Sequence, residues 1–152
     1  RVDYVVFTGS VYGGHRIQAA ASSRFVGVAL ELGGNDAAYV APDCDLEKTV
    51  DNIVDGAIYN AGQSCCAVER VFVHEAVYDR FVAAAESLVR AYVMGDPRDA
   101  ATTLGPIAQP WHVAELEAFV ADATAKGARC VAGGRRASVE GRGRFFEATL
   151  LE

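Results

Sequence analysis

Val5-Val6-Phe7-Thr8-Gly9-Ser10 is the stretch from which the fold can be read. Three β-branched and aromatic residues form a strand, which Thr8-Gly9-Ser10 breaks, and Gly13-Gly14 follow. From Tyr12 to Arg24 the composition favours a helix, with Ile17, Ala20 and Ala21 on one side. Phe25 to Leu32 is apolar and β-branched again. A strand, a crossover helix and a strand of this length make a βαβ unit, which requires parallel strands. Glycines between strand and helix let backbone N–H groups approach a phosphate at the helix N-terminus. The spacing is not G-x-G-x-x-G, and a plain tight turn explains it equally well.

Outward from this unit the alternation continues. Ala37–Val40 reads as a strand, Pro42 breaks it, and Asp45 is a candidate N-cap with Lys48 where a capping box would have Glu. Val50, Ile53, Val54, Ala57 and Ile58 follow the spacing of a helix buried on one face. That helix runs into Asn60-Ala61-Gly62-Gln63-Ser64-Cys65-Cys66, a turn presenting a thiol before the strand Arg70–Val73. Val77, Phe81, Ala84, Leu88 and Tyr92 mark a second helix, ended by Gly95-Asp96-Pro97. Val113, Leu116, Val120 and Ala123 mark a third, closed at Lys126-Gly127. Ala128–Ala132 and Phe145–Leu151 read as strands, and the Arg- and Gly-rich stretch 133–144 as a solvated hairpin or loop, with an anion site as the other reading. Alternating strands and helices predict an α/β fold.

At 152 residues and 51% hydrophobic content, the chain has the size and core of one domain. Fourteen basic against twenty acidic residues give a net charge of −6, which argues against nucleic acid or an anionic membrane as partner. No apolar run reaches the roughly 18–20 residues needed to cross a bilayer, and Arg1-Val2-Asp3-Tyr4 does not open like a signal peptide. The four cysteines (Cys44, Cys65, Cys66 and Cys130) form no C-x-x-C pair, and no His lies at zinc-ligand spacing, so no metal is expected. They read as reduced thiols of a cytoplasmic protein. Both ends of the sequence read as strands, like a piece of something longer.

A cysteine on a turn is either a small buried hydrophobe or a nucleophile. The second reading gains from Leu30-Glu31-Leu32-Gly33-Gly34, which sets a carboxylate at a strand end followed by two glycines. Together, Phe7-Thr8-Gly9-Ser10 with Gly14, Glu31-Leu32-Gly33-Gly34, Asn60-x-Gly62-Gln63-x-Cys65 with Arg70, and Gly95-Asp96-Pro97 with Gly105-Pro106 resemble the NAD(P)-dependent aldehyde dehydrogenase superfamily. The resemblance runs nearly end to end through the chain and covers part of a family member. It implies a three-layer α/β fold, represented here by the end of the nucleotide-binding domain (1–33) and the first part of the catalytic domain (34–152).

The resemblance also implies roles. Cys65 would attack an aldehyde as its thiolate; a free thiol has a pKa of about 8.5, so the site must favour ionisation. The backbone N–H of Cys65 would bind the oxyanion. Hydride passes to NAD or NADP, and Glu31 activates the water that hydrolyses the thioester; partial burial at the strand end is expected to make it a stronger base. Gly9, Ser10 and Gly14 would lie along the cofactor pyrophosphate, and Leu32, with Glu31 and Cys65, near the nicotinamide. Cys66 is expected to be a bystander packed inward, and His15, His74 and His112 have no triad partners. Glu31 favours the hydrolytic branch of the family over the CoA-acylating one. Asn35-Asp36 stands where a Lys often follows the two glycines, and Ile58 where an aromatic is common. The family's ribose-binding Lys, oxyanion-hole Asn and oligomerisation arm are not within this sequence. The expected reading is an inactive fragment of a homodimeric or homotetrameric enzyme acting on a small aldehyde. The alternatives are an acylating semialdehyde dehydrogenase and a non-catalytic module of this fold.

Overall fold

The computed structural model describes residues 2–152. Strands β1 (Tyr4–Thr8) and β2 (Gly27–Glu31) run parallel, with Tyr4 opposite Gly27 and Thr8 opposite Glu31. Helix α1 (Val11–Ala21) makes the crossover. Its N-cap is Ser10, whose hydroxyl accepts the Gly13 N–H at 3.1 Å. The Phe7 ring fills the space between strand end and helix; a Cβ on Gly9 or Gly13 would stand 2.6 or 2.7 Å from it. The helix ends earlier than composition suggests, in one 3-10 turn at Ser22–Arg24. Phe25 does not open the second strand as expected. It is left-handed (φ 52°) and fully exposed, and this turn reverses the chain so that pairing begins at Gly27.

A second parallel pair follows, β3 (Asp36–Val40) with β4 (Val68–Val73), crossed over by α2 (Leu46–Ile58). Asp45 caps α2, accepting the Lys48 N–H at 3.4 Å. The apolar stripe of α2 buries Val50 and Val54 against Val40 of β3 and against Phe81, Ala85 and Val89 of α3 (Tyr78–Ala91). Val77, just before α3, joins this main core. Burial of such side chains contributes roughly 1.5–3 kcal/mol each for the larger ones, which fixes the two helices over one face of the β3–β4 pair.

Beyond α3 the chain turns at Gly95-Asp96-Pro97 and enters α4 (His112–Ala125), terminated by Gly127 at φ 101°. Val113 of α4 packs with Ile107 and Phe146 in a smaller core. The Arg-rich stretch is a hairpin of β6 (Arg136–Val139) and β7 (Arg142–Phe146), preceded by β5 (Cys130–Ala132). Its turn residues Glu140 and Gly141 both have positive φ, the signature of a two-residue hairpin turn. Phe145–Leu151 is not one strand. The Thr149 hydroxyl donates to the Glu147 carbonyl at 2.7 Å and accepts the Gly134 N–H at 3.0 Å, folding the chain there. The chain then re-enters as β8 (Leu150–Leu151), antiparallel to β5. The described residues thus form four two-stranded sheets with helices between them, an α/β arrangement. Among the described residues no helix is long and apolar enough to cross a membrane.

Asp96 ties the turn after α3 to the hairpin. The Arg98 guanidinium donates to both its oxygens at 3.0 and 2.6 Å, and Arg142 of β7 lies 3.8 Å away. Hydrogen bonds from the Arg98 side chain, then from its backbone N–H, hold the Asp96 carboxyl well below the usual carboxylate range. A depressed folded-state pKa gives stability that is present above the unfolded value of about 3.9 and is lost as pH falls through the folded one. Asp96→Asn should therefore lower the melting temperature at pH 7, and the gap to the unsubstituted protein should narrow below about pH 4. Thermal melts across pH check this; a gap that does not change with pH would refute it.

Candidate active site

The parallel register sets the ends of β1 and β2 side by side. Thr8 faces Glu31, and the Gly9 N–H donates to the Glu31 carbonyl at 3.0 Å. Ligands of parallel α/β sheets bind outside the carboxyl ends of the strands, and the α1 N-terminus lies at this same end. Gly13 and Gly14 N–H groups are taken by the Ser10 hydroxyl and carbonyl. The first-turn amides of Val11 and Tyr12 have no acceptor within the helix, and the first turn carries no acidic residue. A diphosphate fits these donors and the helix dipole. Gly14 itself is buried, and a Cβ there would stand 3.0 Å from Leu32. Its contribution is to let α1 lie close on the strand end, not to donate to a ligand.

From Glu31 the chain passes through half-buried Leu32 to Gly33 and Gly34. Gly34 lies directly against the Cys65 carbonyl, leaving no room for a Cβ. Two side chains of β4 secure the crossing: Glu69 accepts the Asp36 N–H at 2.6 Å, and Arg70 donates to the Asn35 carbonyl at 3.0 Å. The structure thus brings the segment after Glu31 against the residue that carries the thiol.

Cys65 itself follows three consecutive left-handed residues, Asn60 (φ 53°), Ala61 (φ 56°) and Gly62 (φ 71°). Only the glycine adopts this conformation without cost; the other two are strained. Ala67, 2% exposed, is the position that turns inward. Cys66 does not pack inward as expected. It is exposed, with its sulfur 3.3 Å from the Ser64 hydroxyl, because Ala67 takes the inward position. Cys65 is exposed as well. Glu31 is also exposed, so the burial expected for it is not supplied by this chain. Two concavities, of about 670 and 590 Å³, are lined by neither residue.

The expected site residues therefore fall into two groups. Gly9, Ser10, Gly14, Glu31 and Leu32 gather at the β1–β2 strand ends, and Cys65 stands across the Gly34 contact. Glu69 was not singled out in the sequence, and Gln63 stood there as part of a motif without a role of its own. Glu69 is an acidic residue on an outward strand position, and only the β3–β4 register reveals its partner. Among the described residues no group of three or more His, Cys, Asp or Glu is placed to hold a metal ion. The chemistry available here is a solvent-facing thiol, a carboxylate and a helix N-terminus suited to an anion.

Gly34→Ala should displace the Cys65 backbone. The expected outcome is a lower melting temperature and an altered rate of Cys65 alkylation by iodoacetamide, followed by mass spectrometry. An unchanged rate and melting temperature would show the Gly34 contact to be slack.

Comparison with known proteins accords with this geometry. The sequence model of the Aldehyde dehydrogenase family matches residues 1–152. The NADP(+) succinate-semialdehyde dehydrogenase GabD of Escherichia coli (strain K12) is 39% identical over 145 residues, covering 95% of this chain and 30% of that protein. Lactaldehyde dehydrogenase of the same strain is 39% identical over 152 residues, covering 99% and 31%. The crystal structure of Escherichia coli lactaldehyde dehydrogenase superposes with a TM-score of 0.92 at 39% identity, over 99% of this chain and 31% of that one. The NAD+ complex of a Bacillus cereus aldehyde dehydrogenase gives 0.93 at 31% identity, over 99% and 30%. This chain spans about 30% of the length of these relatives. On sequence and fold alike, it belongs to the aldehyde dehydrogenase family.

Proposed function

We propose that the protein carrying this chain oxidises a small aldehyde to the carboxylic acid with NAD or NADP, using Cys65 as nucleophile and Glu31 as base. The observation that carries this reading is the contact of Gly34 with the Cys65 carbonyl, which joins the strand end after Glu31 to the thiol-bearing turn. The Cys65 thiolate adds to the aldehyde carbon, forming a C–S bond while the carbonyl π electrons move to oxygen. The Cys65 backbone N–H donates to that oxyanion; one such donor is typically worth about 2.7–4 kcal/mol in the transition state. NAD or NADP, when bound, would accept the hydride that leaves the former aldehyde carbon as the thioester forms, its diphosphate held by the Gly9–Tyr12 turn and the α1 N-terminus. The thioester left on Cys65 is hydrolysed by water. Glu31 takes a proton from that water as it attacks, and the thiolate is released.

Names of relatives support the cofactor class: one is an NADP(+) enzyme, and a Bacillus cereus structure is an NAD+ complex. A glutamate at position 31 supports hydrolysis over transfer of the acyl group to another thiol. The proposed division into 1–33, nucleotide-binding, and 34–152, catalytic, is supported by the strand pairing, in which β1 pairs with β2 and β3 with β4 on either side of Gly33-Gly34. Because Glu31 and Cys65 are both exposed here, we infer that other parts of the protein wall in the reacting aldehyde, and that this stretch alone does not turn over.

In the full-length protein, Cys65→Ala should abolish aldehyde oxidation; retained turnover would end the nucleophile assignment. Glu31→Gln should leave the acyl group on Cys65, detectable as a mass adduct after one turnover. Unchanged steady-state rates in that variant would mean that the water is activated elsewhere.

A further inference from the structure

The three left-handed residues before Cys65 need an external hold, because strained backbone persists only where its surroundings over-determine it. The hold is the side chain of Gln63. Its amide nitrogen donates to the Asn60 carbonyl at 2.9 Å and to the Pro106 carbonyl at 3.3 Å, and its amide oxygen accepts the Ala108 N–H at 2.7 Å. The Gln63 backbone N–H adds a bond to the Asn60 carbonyl at 3.2 Å, and Asn60 Nδ2 returns one to the Gln63 carbonyl at 3.2 Å. One amide thus closes the left-handed turn on itself and fastens it to a segment far along the chain.

That second segment is itself anchored. Ile107 is buried with Val113 and Phe146, and its N–H donates to the Arg144 carbonyl of β7 at 2.7 Å. Ala61, at the centre of the left-handed run, packs against the same small core. The turn bearing Cys65 is therefore referenced through Gln63 to the α4–β7 core, independently of the Gly34 contact on its other side.

We propose that Gln63 is a positioning residue for the nucleophile: its amide, by donating to two carbonyls and accepting one N–H, sets where the Cys65 sulfur and backbone N–H stand. The inference rests on the nucleophile assignment of the preceding subsection. No other uncharged side chain of this length donates and accepts at the same end. Glutamate matches the shape but, ionised, can only accept, and it sets a negative charge against two carbonyl oxygens. Protonated, it regains one donor.

The test measures kcat, KM for the cofactor and melting temperature for Gln63→Ala and Gln63→Glu in the full-length protein, with Cys65→Ala alongside. A reacting group moved by about 1 Å loses on the order of 100-fold in rate. The expected result is a kcat reduced 10- to 100-fold in both Gln63 variants, with the cofactor KM unchanged. The ratio of Gln63→Glu to unsubstituted kcat should rise as the pH falls from about 8 to 5.5, since protonation of the glutamate restores a donor. A folded Gln63→Glu protein with kcat within twofold of the unsubstituted one overturns the proposal, as does a pH-independent ratio. Failure of both variants to fold makes Gln63 a residue of stability alone and overturns it too. Retained activity in Cys65→Ala would instead dispose of the nucleophile assignment, so the two failures are distinguishable.

Discussion

The structure depends on one close approach, the α-carbon of Gly34 lying against the carbonyl of Cys65. A methyl group there would push the two segments apart, and the consequence would travel in both directions. On one side, Gly34 continues the strand that ends in Glu31 and is tied to β1 through the Gly9 N–H. On the other, Cys65 closes a turn whose next inward residue, Ala67, is in the core. The geometry is possible because backbone without a side chain can pass within contact distance of another backbone, and because Glu69 and Arg70 hold the passing segment from the adjacent strand.

The turn shows how local strain and tertiary packing are balanced. Asn60 and Ala61 occupy a conformation that costs an L-residue about 1–2 kcal/mol. Asn tolerates it through local hydrogen bonding; Ala does so because its methyl is packed against the Ile107–Val113–Phe146 core. The strained residues sit on a short, non-repetitive stretch just before the thiol.

Much of the fold was legible because its signals are periodic. Val50, Val54, Val77 and Phe81 stand in the main core as their spacing predicts, whereas α3 turns Ala85 and Val89 fully inward and leaves the expected Ala84, Leu88 and Tyr92 partly buried at its edge; Asp45 and Gly127 mark the helix ends they predicted. The βαβ order followed from short apolar runs separated by glycines. Phe25 and the Glu147–Thr149 break were misread because both are decided by single residues. One is an aromatic in a left-handed turn, and the other is a threonine hydroxyl that bends an apolar run. For the site, residue types and spacing pointed to Glu31 and Cys65, but the carboxylate of Glu69 finds its partner only through the β3–β4 register, and the amide of Gln63 finds two of its three only across the fold, at Pro106 and Ala108. Burial was the least legible property. Glu31 and Cys66 were both expected to be partly sheltered, and exposure of a side chain at a strand end or turn depends on what the rest of the molecule lays over it.

Among the described residues, each of the four sheets has two strands. Every strand therefore has one flank whose amide and carbonyl groups are not engaged in ladder pairing within its sheet, and Tyr39 and Phe72 on the β3–β4 pair remain open to solvent. Such a flank is a template onto which any extended polypeptide can dock. At high concentration these residues by themselves are thus prone to sticking through lateral growth of narrow ribbons.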